Sequence, residues 1–157
     1  MNDFLAVSGK TFLITGFANR KSVAWHVAKA LEEQGAHIIY SVRSKKRSEE
    51  LSKLLPQAKI IICDFEKEED LNNLELFMNE MGQGSINGIL HSVAFADYSD
   101  GMVPFHETKL KDFLQATQIS SFSLVQLSKV SKNALANDAS VVTVGISSTE
   151  VTAENYG

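Results

Sequence analysis

A chain of 157 residues with 44% hydrophobic and 22% charged residues has the composition of one globular domain with a sizeable core. The net charge of −4 gives no footprint for nucleic acid, and a single cysteine, Cys63, excludes a disulfide framework or a cysteine-paired metal site. No apolar run reaches the ~20 residues of a membrane helix, and Met1-Asn2-Asp3-Phe4 lacks the basic and apolar regions of a signal peptide, so no membrane partner and a cytoplasmic location are expected.

Phe12-Leu13-Ile14-Thr15 reads as a short apolar strand, followed by Gly16, five residues and Ser22. Ser22 to Gln34 reads as the first helix. Val23, Val27, Ala30 and Leu31 recur at helical spacing, and Gly35 is placed to end it. His37 to Val42 is a second strand, mostly apolar, as a parallel strand covered on both faces should be. Arg43 to Arg47 is predicted as a basic loop, and Ser48 to Leu55 as a short helix before Pro56. Lys59 to Cys63 is a third strand, closed by Asp64. Glu68 to Met81 is an amphipathic helix with Leu71, Leu74, Phe77 and Met81 on one side, ended by Gly82-Gln83-Gly84. Gly88 to Val93 is a fourth strand, Lys109 to Ala136 a long helical region, and Ser140 to Val144 a fifth strand.

Strands alternating with helices, without linker or low-complexity segment, predict an α/β fold: a single Rossmann-like, doubly wound parallel sheet over residues 1–157. In such a sheet a ligand binds beyond the carboxyl ends of the strands, where the strand order reverses. The residues to weigh are therefore Gly16, Arg43, Asp64, the segment Ser92 to Ala96 and the segment Gly145 to Tyr156. Gly16 can turn sharply and let a ligand approach. Ser22 can cap the first helix, whose N-terminus offers free N–H groups to a phosphate. The alternative is an ordinary strand–helix turn, since only the first glycine of the usual G-x-G-x-x-G pattern is present. Arg43 stands where an acidic residue would favour NAD and an arginine can accept a 2′-phosphate; the alternative is a solvated basic loop. His91 reads as a structural strand-end histidine and Cys63 as core, and no His, Cys and carboxylate spacing resembles a metal site.

Four stretches together resemble the bacterial enoyl-(acyl-carrier-protein) reductases of the short-chain dehydrogenase/reductase superfamily. They are Thr15-Gly16 with Ser22-Val23-Ala24-Trp25, Cys63-Asp64, His91-Ser92-Val93-Ala94-Phe95-Ala96, and Ile119-Ser120-Ser121-Phe122-Ser123. The resemblance implies NADH or NADPH as cofactor, held by Gly16, Ser22, Val23, Arg43, Asp64, Phe65, Ser92, Val93 and Ala94. It implies Ala96 as substrate-binding and Tyr156 as the catalytic phenol. It further implies, as substrate and partner, an enoyl thioester on acyl carrier protein in fatty acid synthesis, and a homo-oligomer, tetrameric in the family. The chain departs from that pattern in three places. The family carries two tyrosines after the fifth strand; Tyr156 matches the second, but Ile146 stands at the first. Glu154 stands where proline is usual. The family's catalytic lysine and substrate loop fall after the second tyrosine, so the chain is expected to be the N-terminal portion of a longer enzyme, inactive by itself. Two other functions compete: a short-chain carbonyl reductase, for which Ser147 and Ser148 lie too near Tyr156, and a non-catalytic nucleotide-binding remnant.

Overall fold

The structure is a computed structural model and describes residues 3–99, 101–146 and 150. Strands β1 (Thr11–Ile14), β2 (His37–Val42), β3 (Lys59–Ile62), β4 (Ile86–His91) and β5 (Leu135–Thr143) form one sheet in the order β3-β2-β1-β4-β5, every neighbouring pair parallel. Side chains alternate between the faces, so the apolar runs load both. Leu13, Ile39 and Ile89 face one core, while Ile14, Ile38, Tyr40 and Leu90 face the other. This is the Rossmann-like, doubly wound arrangement that the alternation predicts.

Helices α1 (Val23–Glu33) and α2 (Lys45–Leu54) cover one face; α3 (Glu68–Met81) and α5 (Ser123–Ser131) cover the other. On α1 the buried residues are Ala24 and Ala28, whose small side chains let the helix lie close to the strands. The buried stripe is therefore rotated from the predicted one: Val27 and Leu31 still pack against the core, but Val23 and Ala30 are exposed. On α3 Leu74 is fully buried, as expected, and Met78, one turn further, joins it; Leu71, Phe77 and Met81 pack at the margin. Glu68, Glu69 and Asp70 in its first turn complement the positive end of the helix dipole.

Several boundaries differ from expectation. Helix α2 begins at Lys45, not Ser48, because Ser44 accepts the Arg47 N–H at 3.4 Å and caps it; the predicted basic loop is its first turn. Strand β4 spans Ile86–His91, so the chain leaves the sheet at Ser92. The predicted long helix is instead α4 (Leu110–Thr117), a π-turn over Gln118–Phe122, and α5. The residues after α5 turn into β5 because Leu135 pairs with Ile86. A register irregularity follows before Ser140–Thr143 pair with Gly88–His91. Ser147, Ser148, Glu154 and Tyr156 lie outside the described residues.

Candidate functional site

The strand order reverses between β1 and β4, and a crevice opens beyond their carboxyl ends. Thr15 joins the two sides. Its N–H and its hydroxyl both donate to the Leu90 carbonyl, at 2.9 and 3.0 Å, and its Oγ1 accepts the Ser92 N–H at 3.3 Å. The backbones meet again one residue on. Gly16 has φ +78°, and a Cβ there would lie 1.7 Å from the Ser92 carbonyl oxygen. A side chain at position 16 is thus excluded by the protein's own backbone before any ligand arrives, a stronger demand than the ligand approach expected from sequence.

A cleft of about 340 Å³ occupies this crevice and brings together Gly16, Arg43, Asp64, Phe65, Ser92, Val93 and Ala94. One wall is basic. The first turn of α2 holds no acidic residue, and its cap Ser44 and its Arg47 line the cleft beside Arg43. Arg47 is tied in place, Nη1 donating to the Ala18 carbonyl at 3.0 Å and to Glu50 Oε2 at 2.9 Å. Arg43 reaches across, its guanidinium carbon 5.4 Å from the centroid of the Phe95 ring. On the far wall the Asp64 carboxylate accepts the Glu66 N–H at 3.3 Å, while the Asp64 N–H donates to Asp70 Oδ2 at 2.9 Å. Phe65 is buried beneath and packs at 6.4 Å from the His91 ring.

Two expected cofactor residues stand apart from this lining. Ser22 caps α1, accepting the Trp25 N–H at 3.4 Å and donating its one proton to the Asn19 carbonyl at 2.7 Å. Val23 is 51% exposed on the opening turn of α1. Ala96 faces a second cavity of about 760 Å³ between the chain after β4 and the helical region from Thr108 to Ser121. Ala94 and Phe95 line both cavities.

Cys63 lines the cleft, and His91 is buried below it against Phe65. Burial pushes the Cys63 thiol up to about 12, with the Asp70 and Asp64 carboxylates adding to it, so the sulfur is an apolar surface and no nucleophile. His91 is almost fully buried, and desolvation holds its pKa below the ordinary histidine value. Its Nε2 lies 2.7 Å from Ser123 Oγ and its Nδ1 lies 2.9 Å from Thr143 Oγ1. Ser123 already donates its proton to the Ile119 carbonyl at 2.6 Å, so it accepts from His91. Nε2 therefore carries a proton, and Nδ1 pairs with the Thr143 hydroxyl. This is the structural strand-end role read from the sequence.

Sequence reasoning took Arg47 as added charge beside Arg43 but not as a group tied to Ala18 and Glu50, and it missed Thr15 as the group that fastens the cleft and Phe95 as its shared wall. Ser44, an N-cap residue type three residues before Arg47, was a legible start signal for the helix that carries Arg47. The contacts of Thr15 and Phe95 are made over 75 and 25 residues of sequence, and no local pattern announces them. Among the described residues no group of three or more His, Cys, Asp or Glu is placed to hold a metal ion, and no helix is long and apolar enough to cross a membrane.

A family model described as Enoyl-(Acyl carrier protein) reductase matches residues 16–157. The chain is 34% identical over 158 residues to enoyl-(acyl-carrier-protein) reductase (NADPH) FabI of Staphylococcus aureus, covering 97% of this chain and 61% of that protein. It is 31% identical to the enoyl-(acyl-carrier-protein) reductase (NADH) FabI of Bacillus cereus, covering 96% of this chain and 60% of that one. A crystal structure of the enoyl-(acyl-carrier-protein) reductase of Anaplasma phagocytophilum in complex with NAD superposes with a TM-score of 0.83 at 30% identity, over 96% of this chain and 58% of that chain. The chain thus spans about 60% of the length of these relatives.

Proposed function

The chain belongs to the enoyl-(acyl-carrier-protein) reductase family, and on that premise we propose that the protein reduces trans-2-enoyl thioesters on acyl carrier protein, with NADPH or NADH, in fatty acid synthesis in the cytoplasm. The observation that carries this reading is the cleft at the reversal of strand order, walled by Gly16, the basic start of α2, Asp64 and the small residues Ser92 to Ala94. Its chemistry fits a dinucleotide. The positive end of the α2 dipole and the Arg43 guanidinium suit phosphate oxygens. The Asp64 carboxylate is an acceptor suited to an adenine amino group. Ser92, Val93 and Ala94 keep the walls close to the backbone, where a flat ring can lie against them.

The nicotinamide cofactor, when bound, supplies the hydride that adds to the β-carbon of the enoyl group. The chain's own residues hold the reactants and stabilise the charge that develops. In this reading Tyr156 donates a hydrogen bond to the thioester oxygen as it becomes an enolate, an interaction strongest in the transition state. Ile146 has no hydrogen-bonding group and leaves that task to Tyr156. Arg43 inclines the ribose end toward NADPH, since its guanidinium can pair with a 2′-phosphate. Exposed Leu110, Phe113, Leu114, Phe122 and Val125 on the helical face support a homo-oligomer, for which the family's tetramer is the template.

The test is oxidation of NADPH with a crotonyl thioester by the purified full-length gene product. The reading expects turnover that depends on the thioester. It also expects Tyr156→Phe to lower kcat by ~10²–10³ with cofactor affinity unchanged. Full activity of the Phe variant would remove Tyr156 from the chemistry. Dinucleotide binding without any thioester-dependent oxidation would favour a non-catalytic binding protein.

A further inference from the structure

Beyond His91 the chain leaves the sheet, so the backbone groups that follow need partners outside the strand ladder. Phe95 finds both in one side chain: its N–H donates to Ser120 Oγ at 2.9 Å, and the Ser120 hydroxyl donates to the Phe95 carbonyl at 3.0 Å. A hydroxyl carries one proton and two acceptor lone pairs, so it serves both groups at once. Ser120 reaches Phe95 from the π-turn over Gln118–Phe122. In a regular α-helix residues 119 and 123 share a face and residue 120 points about 100° away. The wider π-turn lets all three meet the end of β4. Ile119 lines the cleft, Ser120 holds Phe95, and Ser123 meets His91. The helix thus grips the departing chain at two points, and the outer one fixes Phe95, which lines both cavities with Ala94 and lies beneath Arg43.

We propose that Ser120 is a positioning residue: it holds the Phe95 backbone and thereby sets the wall shared by the dinucleotide cleft and the adjoining cavity. The inference rests on the dinucleotide reading of that cleft. Ser120→Ala leaves the Phe95 N–H and carbonyl without their partner, while the contacts of Gly16 and Asp64 are untouched. Ser120→Thr keeps the hydroxyl. Amide exchange at Phe95 in the purified protein should accelerate at least ~10-fold in Ser120→Ala and stay near wild type in Ser120→Thr. Loss of alignment should lower kcat for the enoyl thioester by ~10-fold or more, with the Kd for NADPH within about three-fold of wild type and the Thr variant restoring kcat. Unchanged exchange at Phe95 in the Ala variant overturns the proposal whatever the activity. Faster exchange with unaltered kcat overturns it too, as does an equal collapse of NADPH binding and turnover that Thr fails to rescue, which marks a merely structural serine. A wild-type protein that binds no dinucleotide overturns the functional reading and this inference with it, and it is told apart by being seen before any substitution is made.

Discussion

Two residues show how a strand-end position is fixed by its neighbours. Gly16 combines φ +78° with a direction for Cβ that ends in the Ser92 carbonyl. Gly16→Ala therefore meets both left-handed strain and a backbone clash, and should destabilise the fold by roughly 2–4 kcal/mol in denaturant titration. Loss of dinucleotide binding in Gly16→Val would then follow from displacement of the loop, not from a blocked ligand. An Ala variant of unchanged stability would show that the β1 and β4 ends do not approach as described. His91 carries the pH dependence. Its folded-state pKa lies below the ordinary value of 6.5 because burial penalises the cation. The unfolded chain then binds more protons on the acid side of that value, so stability is full above it and declines as pH falls below it. Thermal unfolding scanned from about pH 7.5 to 5.5 should show this decline, and His91→Gln should flatten it. Asp3 and Asp97, whose pKa values are lowered by backbone hydrogen bonds from Ser8 and Ser99, act only in the more acidic carboxylate range. An equally steep profile in the Gln variant would assign the dependence elsewhere.

Elements were legible where their pattern was local. The apolar runs of β2 and β3, the amphipathic spacing of α3, and Gly35 at φ +85° after α1 could all be read directly from the sequence. Boundaries failed where a tertiary contact decided them. Helix α2 starts early because Ser44 caps it. The region from Lys109 onward has continuous helical character, and its π-turn falls where Ser120 and Ser123 bond Phe95 and His91. The same logic governs the rotation of α1, since a sequence stripe does not say which of two adjacent faces meets the sheet. Of the expected site residues, those immediately after strands gathered in the cleft. Ser22 and Val23, six and seven residues past Gly16, stand at the helix start, outside its lining. Helix α5 is held to the sheet chiefly through Leu127, fully buried among Leu13, Ile89 and Leu74 of the core. Leu127→Ala should cost about 2–5 kcal/mol. Because α5 continues the turn that positions Ser120 and Ser123, exchange at Phe95 should quicken as well. A loss below about 1 kcal/mol would mean that this helix is not anchored as described.

At the scale of the molecule, the order β3-β2-β1-β4-β5 is what turns separate strand ends into one site. Stepping outward from β1 to β3 and returning to β4 leaves the two inner carboxyl ends adjacent, with α2 and its basic first turn on one side and the chain after β4 on the other. Among the described residues β5 has a sheet neighbour on one side only, and Val141, Val142 and Val144 are exposed there, an apolar margin that suits further covering by protein. The central claim is that the cleft holds a dinucleotide through its basic wall, and calorimetric titration of NADPH and NADH into the protein and into Arg43→Ala tests it most directly. The account predicts saturable binding at one site, weakened by the substitution roughly ten-fold or more for NADPH and much less for NADH, as expected for loss of a charge-assisted contact to phosphate. Absence of saturable binding, or equal affinities before and after Arg43→Ala for both dinucleotides, would contradict it.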